Sequence, residues 1–175
     1  MYIKKASITK APHKQILVEV APLIDRFSSQ RFIEAPNWLG LSLIEGQRIT
    51  AAGRHCKIFL KWLHTNVDWL PEHVFVHTLL AKSTIPWHKD TDNPRAFSNG
   101  LMLPIFIPKK SYVEFEDGIR DTYEMGYCYK TRFGIKHRVI NGSKYKRVMI
   151  MITPPPFVTF YDNYNRKTEL NTVWG

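Results

Sequence analysis

The sequence predicts a mainly β fold, a sandwich or barrel of short antiparallel strands, with helices confined to the N-terminal part. Two observations lead to this expectation. After Pro71, apolar and β-branched runs recur with turn signals between them at intervals of roughly ten residues, which is typical of sandwiches and barrels. Before Pro71, apolar residues recur at three- and four-residue spacing in two stretches, as they do in amphipathic helices.

The chain has 175 residues, and we expect residues 1–175 to form a single domain because no stretch has the composition of a linker. Within it we expect helical and strand support over residues 1–70 and a β core over 73–153. A tail over 154–175 carries enough aromatic residues to pack back on the body. A hydrophobic content of 44% and an aromatic content of 13% exclude a disordered chain.

Composition also predicts the compartment. No apolar run reaches transmembrane length, and the Lys-rich start lacks the apolar centre of a signal peptide. Cys56 and Cys128 provide no disulfide framework, which fits a reducing environment. We therefore expect a cytoplasmic protein with no membrane partner.

The N-terminal part predicts two helices and two strands. Residues 1–10 alternate weakly and indicate a short edge strand, and residues 38–44 indicate a second strand. Apolar residues at helical spacing predict helices over 14–29 and 51–66. Pro22 lies inside the first of these helices, where it either divides the helix or marks a late start.

The second half predicts a succession of strands. The sequence Glu116-Asp117-Gly118 indicates a hairpin between two of them. Pro104 interrupts another, so that strand is expected to lie at an edge or to contain a bulge. The predicted strands cover residues 73–81, 85–90, 101–107, 112–115, 119–124, 127–131, 138–140 and 148–153.

A possible metal site lies in the segment IPWHKDTD. In a strand, His88 and Asp90 would point to the same side, because successive side chains alternate between faces. One imidazole and one carboxylate are two of the three ligands of a facial-triad iron site, which leaves three positions open for co-substrate and oxygen. His137 is the candidate for the third ligand, because it precedes a strand and Arg147 follows it. An arginine there can bind the carboxylate of a keto acid through two hydrogen bonds.

Three segments resemble the iron(II)/2-oxoglutarate-dependent dioxygenases, and in particular their aspartyl/asparaginyl and prolyl hydroxylase-like members. The segments are IPWHKD, LMLPIFIP and MGYCYKTRFGIKHRVINGSKYKR. The resemblance covers roughly residues 73–153 and implies a double-stranded β-helix, the jelly roll of cupin-like proteins. It implies that His88, Asp90 and His137 bind Fe(II), and that Arg147 binds the distal carboxylate of 2-oxoglutarate. The implied reaction uses O2, hydroxylates a C–H bond of a protein or amino-acid side chain, and converts 2-oxoglutarate to succinate.

The sequence departs from parts of this family. Aspartyl/asparaginyl hydroxylases proper lack the carboxylate ligand, whereas this chain has Asp90. Some relatives carry a serine two residues after the arginine, where Met149 stands here. The branch of the family and the substrate therefore stay open.

The net charge of +10 allows other functions. Residues 130–147 contain seven Lys or Arg and no acid, which suits either an anionic co-substrate or an evenly solvated basic face. One alternative is a metal-dependent cupin that uses no keto acid. Another is a non-catalytic basic jelly roll that binds nucleic acid or assembles with itself, although no base-stacking motif indicates nucleic acid.

Several other residues have interpretations that the fold must decide. His73 and His77 could bind zinc on a helix, but the residues between them favour a strand, so structural histidines are expected. Asn141 is expected to form a turn, and Arg95 to contact solvent. Trp87 is expected to pack in the core or at the rim. Three tyrosines are either further donors to the keto acid or core aromatics: Tyr112, Tyr127 and Tyr129.

Overall fold

The structure is a computed structural model that describes residues 2–89, 100–131 and 134–155. In these ranges two antiparallel sheets face each other, and two helices cover the outer side of the larger sheet. The elements are β1 (Ile3–Lys5), α1 (His13–Phe27), β2 (Ser29–Phe32), β3 (Ala35–Glu45), β4 (Arg48–Ile49), a 3-10 turn (Gly53–His55), α2 (Lys57–Asn66), β5 (His73–Leu79), β6 (Ser83–His88), β7 (Leu101–Phe106), β8 (Ser111–Phe115), β9 (Arg120–Asp121), β10 (Tyr129–Thr131), β11 (His137–Asn141) and β12 (Arg147–Thr153).

The strand order confirms the predicted jelly roll. The larger sheet runs β1-β10-β7-β12-β5-β3-β2, with β4 paired to β3, and the smaller sheet runs β6-β11-β8-β9. From β5 to β8, and again from β10 to β12, successive strands alternate between the two sheets. This winding is what places the start of β11 beside the end of β6, and the start of β12 beside the end of β5.

Two apolar layers hold the fold together. One lies between the helices and the larger sheet, and the other lies between the two sheets. Strand β12 contributes to both, because Val148, Ile150 and Ile152 face the helices while Met149 and Met151 face the smaller sheet. All seven residues of β12 are buried, which explains the unbroken apolar run over its five central residues, Val148 to Ile152.

The helices agree with the predicted positions in outline. Helix α1 is continuous from His13 to Phe27, and Pro22 lies within it without dividing it. Its buried side follows the expected spacing. The second predicted helix is a short 3-10 turn followed by α2, which begins only at Lys57.

The proline in β7 acts as expected. The first two residues of this strand, Leu101 and Met102, pair with β10, but the pairing does not extend to Pro104. On its other side β7 pairs with β12, with a register shift between Val148 and Met149 next to Pro104. The missing N–H therefore falls where β7 has a partner on one side only.

Some features lie beyond the sequence prediction. Strands β2 and β4 were not predicted, because both are short and mostly exposed and exist through pairing with β3. In the described ranges, neither helix has the length and apolar character needed to cross a bilayer. The predictions for Asp90, Arg95 and the aromatic residues of the tail from 157 onward lie outside the described residues.

Candidate metal centre

The fold brings together two histidines that are far apart in sequence. His88 is the last residue of β6 and His137 is the first residue of β11. The antiparallel pairing sets them opposite each other, and their ring centroids are 4.4 Å apart. Two of the three predicted metal-binding side chains are therefore neighbours, while the third, Asp90, lies outside the described residues.

A bulge in β6 decides which side chain meets His137. Val139 pairs with Ile85, but His137, two residues earlier, pairs with His88, so β6 contains one extra residue in this interval. Regular alternation from the buried Ile85 would have turned Trp87 inward. Because of the bulge, His88 faces His137, and Trp87 is 40% exposed. Trp87 instead stacks against the Arg138 guanidinium, which lies 4.8 Å from its ring centroid.

Backbone carbonyls orient both imidazoles in the same way. His88 Nδ1 lies 2.7 Å from the Pro86 carbonyl oxygen, and His137 Nδ1 lies 2.8 Å from that of Ile135. A carbonyl oxygen can only accept, so each Nδ1 carries a proton and the lone pair of the neutral ring is on Nε2. A ring held through Nδ1–H with its Nε2 lone pair available for coordination is the usual form of a metal-binding histidine.

Burial keeps His137 neutral. Its side chain is 1% exposed, and this burial, with a smaller contribution from His88, lowers the pKa of His137 to about 4. A neutral imidazole is the form that binds a metal ion. The described part of the site therefore offers two imidazole nitrogens, and the predicted carboxylate ligand, Asp90, lies outside the described residues.

Arg147 faces the space between the sheets with few polar contacts. It is the first residue of β12 and is 5% exposed. Its Nη2 contacts the Met149 sulfur, its guanidinium carbon lies 5.7 Å from the Tyr123 ring centroid, and its Nε is buried without a hydrogen-bond partner. Burial lowers the pKa of Arg147 to about 10, so the side chain stays charged at neutral pH. Among the described residues, no carboxylate pairs with it.

One cavity connects the histidines and the arginine. Its volume is about 50 Å³, enough for a few waters, since one water needs roughly 10–15 Å³. Both histidines and Arg147 line it, and most of the remaining wall is apolar, including Ile85 and Val113. His137 is at the start of β11, and Arg147 follows the turn at the other end of that strand. The histidines and the arginine therefore line different parts of the cavity. An apolar wall strengthens the attraction between a buried cation and a bound anion.

Two further polar residues line the cavity, and sequence reasoning gave neither a functional role. They are His77 on β5 and Tyr123. The indole N–H of Trp38 donates to His77 Nδ1 at 3.0 Å. Burial, with smaller contributions from Arg31 and Arg147, lowers the pKa of His77 to about 3. The alternation of β5 could have indicated that His77 faces the space between the sheets. It is a polar residue on the face of the strand opposite to Val74 and Val76, which pack against the helices.

The three tyrosines named as candidate donors do not line this cavity. Tyr127 lies under the ammonium groups of Lys5 and Lys10. The hydroxyl of Tyr129 accepts the backbone N–H of Glu124 at 3.0 Å. Tyr129 is therefore a core aromatic, as one of the two interpretations expected, while Tyr127 is partly buried and packs against the intersheet core. His73 likewise stays outside the cavity and stacks on Phe75 with a centroid distance of 5.6 Å.

Comparisons with known proteins give similarity in structure alone. No protein-family model matches the sequence, and no curated protein matches it. A prolyl hydroxylase from Trichoplax adhaerens, solved with a hypoxia inducible factor peptide fragment, has a TM-score of 0.61 at 9% identity, covering 88% of this chain and 82% of its own.

Two other prolyl hydroxylase structures are similar to this chain. The viral collagen prolyl hydroxylase of Paramecium bursaria Chlorella virus-1, a 2OG complex, has a TM-score of 0.55 at 12% identity, covering 87% of this chain and 95% of its own. A Pseudomonas putida prolyl-4-hydroxylase has a TM-score of 0.55 at 10% identity, covering 88% and 92% respectively. At these identities the comparisons show a shared fold: the chain is a jelly roll of the same kind as these three enzymes.

Proposed function

We propose that the protein is an Fe(II)- and 2-oxoglutarate-dependent oxygenase that hydroxylates a C–H bond. The observation that carries the proposal is Arg147, a buried guanidinium without a carboxylate partner among the described residues, in the same cavity as the paired His88 and His137. A buried cation is costly unless an anion compensates it. A keto acid that reaches from a metal ion to Arg147 supplies that anion.

The residues have distinct tasks in this proposal. His88 and His137 hold the metal through Nε2, with their orientation set by the carbonyls of Pro86 and Ile135. Asp90 supplies the carboxylate ligand. Iron(II) with 2-oxoglutarate and O2 supplies the oxygenation of a substrate C–H bond, with conversion of the keto acid to succinate.

Arg147 binds the far carboxylate of 2-oxoglutarate. A guanidinium and a carboxylate can form two parallel hydrogen bonds, which orient the ligand as well as hold it. The apolar side chains around the cavity lower the local dielectric, so this interaction is screened less than it would be in water.

The substrate that we propose is a protein side chain, with a free amino acid as the second choice. The Trichoplax prolyl hydroxylase, which shares the fold, was solved with a peptide. The exposed Trp87 and its partner Arg138 lie next to the two histidines in sequence and offer an apolar and a charged contact at the rim.

The test of the metal site is replacement of His137 by Ala. We expect loss of the charge-transfer band that Fe(II) and 2-oxoglutarate give together under anaerobic conditions, and loss of succinate formation in air. The matched control is His73→Ala, which removes a histidine that lies outside the cavity. Full succinate formation by the His137 variant would refute the assignment.

The test of the keto acid site is replacement of Arg147 by Gln. The change removes a charge-assisted contact, so the 2-oxoglutarate concentration for half-maximal turnover should rise roughly a hundredfold. Arg26→Gln on the outer helix α1 is the control and should change nothing. An unchanged dependence in the Arg147 variant would instead favour a metal-dependent cupin that uses no keto acid.

A further inference from the structure

His77 and Arg147 face the same part of the intersheet cavity from neighbouring strands. In the pairing of β5 with β12, His77 lies opposite Met149, and Arg147 lies opposite Leu79. The two residues are therefore diagonal neighbours on one face of the sheet, with Cα atoms roughly 7–8 Å apart. Both line the cavity.

The contact with Trp38 determines where the proton of His77 lies. An indole N–H can only donate, so the His77 Nδ1 that it contacts must be the unprotonated nitrogen. The side chain is 6% exposed, and its pKa of about 3 keeps the ring neutral at physiological pH. A neutral ring with a bare Nδ1 carries its proton on Nε2, which makes Nε2–H a donor of fixed direction.

That donor has no acceptor in the described part of the chain. His77 Nε2 is buried without a hydrogen-bond partner, and so is Arg147 Nε. Buried donors are rarely left without acceptors, because they lose their hydration and gain nothing in return. Two such donors, one neutral and one charged, bordering the same small cavity match the two oxygens of a single carboxylate.

We propose that His77 Nε2–H and the Arg147 guanidinium together bind the far carboxylate of the keto acid, and that His77 thereby selects dicarboxylic over monocarboxylic keto acids. The ligand's identity rests on the proposed function. His77 adds a directed hydrogen bond without a second positive charge. Trp38 is the positioning residue, since its ring packs against His77 at 5.5 Å and against His88 at 6.2 Å between centroids.

The first experiment reads the imidazole of His77 directly, without iron or turnover. Nitrogen-15 NMR of the metal-free protein should show a protonated Nε2 and an unprotonated Nδ1, assigned by loss of the signals in His77→Gln. Addition of glutarate, a five-carbon dicarboxylate without a keto group, should shift the Nε2 and Nε2–H signals. A protonated Nδ1, or the absence of a shift at any glutarate concentration, overturns the proposal.

The second experiment compares two keto acids on the Fe(II)-loaded protein under anaerobic conditions. His77→Leu should weaken 2-oxoglutarate binding about tenfold to a hundredfold, because it removes one hydrogen bond to a charged group. Binding of 2-oxopentanoate, which lacks the far carboxylate, should not change. His77→Gln offers an amide N–H near the Nε2 position and should restore most of the 2-oxoglutarate affinity.

The controls distinguish carboxylate binding by His77 from a purely structural role of that residue. They also distinguish failure of this proposal from failure of the oxygenase proposal. His73→Leu on the same strand should affect neither keto acid. Equal weakening of both keto acids by His77→Leu means that the residue only supports the fold, and it overturns the inference while the oxygenase proposal stands. A wild-type protein without a charge-transfer band for either keto acid refutes the oxygenase proposal, and the glutarate titration then still decides whether His77 binds a carboxylate.

Discussion

Burial sets the charge of three polar side chains in the cavity. The pKa values of His77, His137 and Arg147 are lowered to about 3, 4 and 10 because their charged forms lose hydration. The two histidines are therefore neutral at physiological pH, and the arginine is still charged. At physiological pH the cavity therefore holds the neutral imidazoles of His77 and His137 together with the charged guanidinium of Arg147.

The buried, neutral His77 predicts a pH-dependent stability. In the unfolded chain a histidine titrates near pH 6.5, whereas in the folded protein His77 stays neutral down to about pH 3. Between these pH values the unfolded state binds more protons than the folded state. The contribution of neutral His77 to the free energy of unfolding is therefore fully present above pH 6.5 and is lost as the pH falls toward 3. The slope is about 1.4 kcal/mol per pH unit for one such group.

Urea unfolding of the metal-free protein at several pH values between 7 and 4 measures this slope. The His77→Gln variant removes the titrating group while it keeps a polar side chain, so its slope should be smaller by the contribution of one proton. His137 titrates in the same direction in both proteins and cancels in the comparison. Identical slopes would contradict a neutral His77 in the folded protein.

At the level of elements, a side chain of α1 caps the N-terminus of α2. Neither the N-cap residue of α2 nor that of α1 uses its own side chain for this purpose. Instead the Glu19 carboxylate of α1 accepts the backbone N–H groups of Ile58 at 2.8 Å and Phe59 at 3.1 Å. These donors have no partner within α2, because they belong to its first turn.

Replacing Glu19 by Ala should therefore destabilise the protein by about 1–2 kcal/mol, the usual value of a lost N-terminal cap. Chemical denaturation measures the loss, and the proposed oxygenase activity should survive it below the unfolding transition. Glu34→Ala, at an exposed glutamate between β2 and β3, is the matched control and should have little effect. Equal stability of both variants would mean that solvent replaces the Glu19 contacts at no cost.

The turn between β11 and β12 sets the position of Arg147, which is the first residue after it. Asn141 is buried, its side-chain amide donates to the carbonyls of Leu80 at 2.9 Å and Tyr145 at 2.8 Å, and its oxygen accepts the N–H of Ser143 at 3.2 Å. The sequence predicted a turn at this residue. The hydrogen bond from its amide to Leu80, just after β5, joins the two sheets beside Arg147. This contact could not be predicted, because it depends on how the two sheets pack.

At the scale of the whole molecule, one basic groove lies away from the histidines. A groove of about 520 Å³ is lined by lysines that include Lys82, Lys110 and Lys144, at the end of the strands opposite to His88 and His137. Lys146 pairs with Asp25 of α1. Of the basic cluster that sequence reasoning associated with the site, Arg147 is the described member that lines the cavity.

A metal site that joins two strands should stabilise the entire fold. A ligand that binds only the folded state at a concentration one hundred times its Kd adds about 2.7 kcal/mol, which corresponds to a rise in Tm of about 5–10 °C for a chain of this size. Thermal unfolding with and without Mn(II), which resists oxidation, measures this rise. The His73→Ala variant should keep it and the His137→Ala variant should lose it, and an unchanged Tm in the wild type would contradict a metal site.

Local sequence patterns were sufficient for most of the secondary structure and for proposing the residues of the site. Alternating apolar runs and turn residues predicted the strands from β5 to β12, and the helical spacing predicted α1 and most of α2. The set of His88, His137 and Arg147 was recognisable because its residue types match one chemistry. The short strands β2 and β4 carry no such pattern, since they exist through the hydrogen bonds of β3.

The sequence by itself determined which segments alternate and which residue types were available for a site. Tertiary structure decided which side chains meet: the bulge in β6 turns His88 toward His137 in place of Trp87, and the packing of Trp38 aims His77 into the cavity. The physical reason is that periodicity is a property of a short stretch of chain. The direction of a side chain and its hydrogen-bond partner depend on how strands far apart in sequence pair and stack.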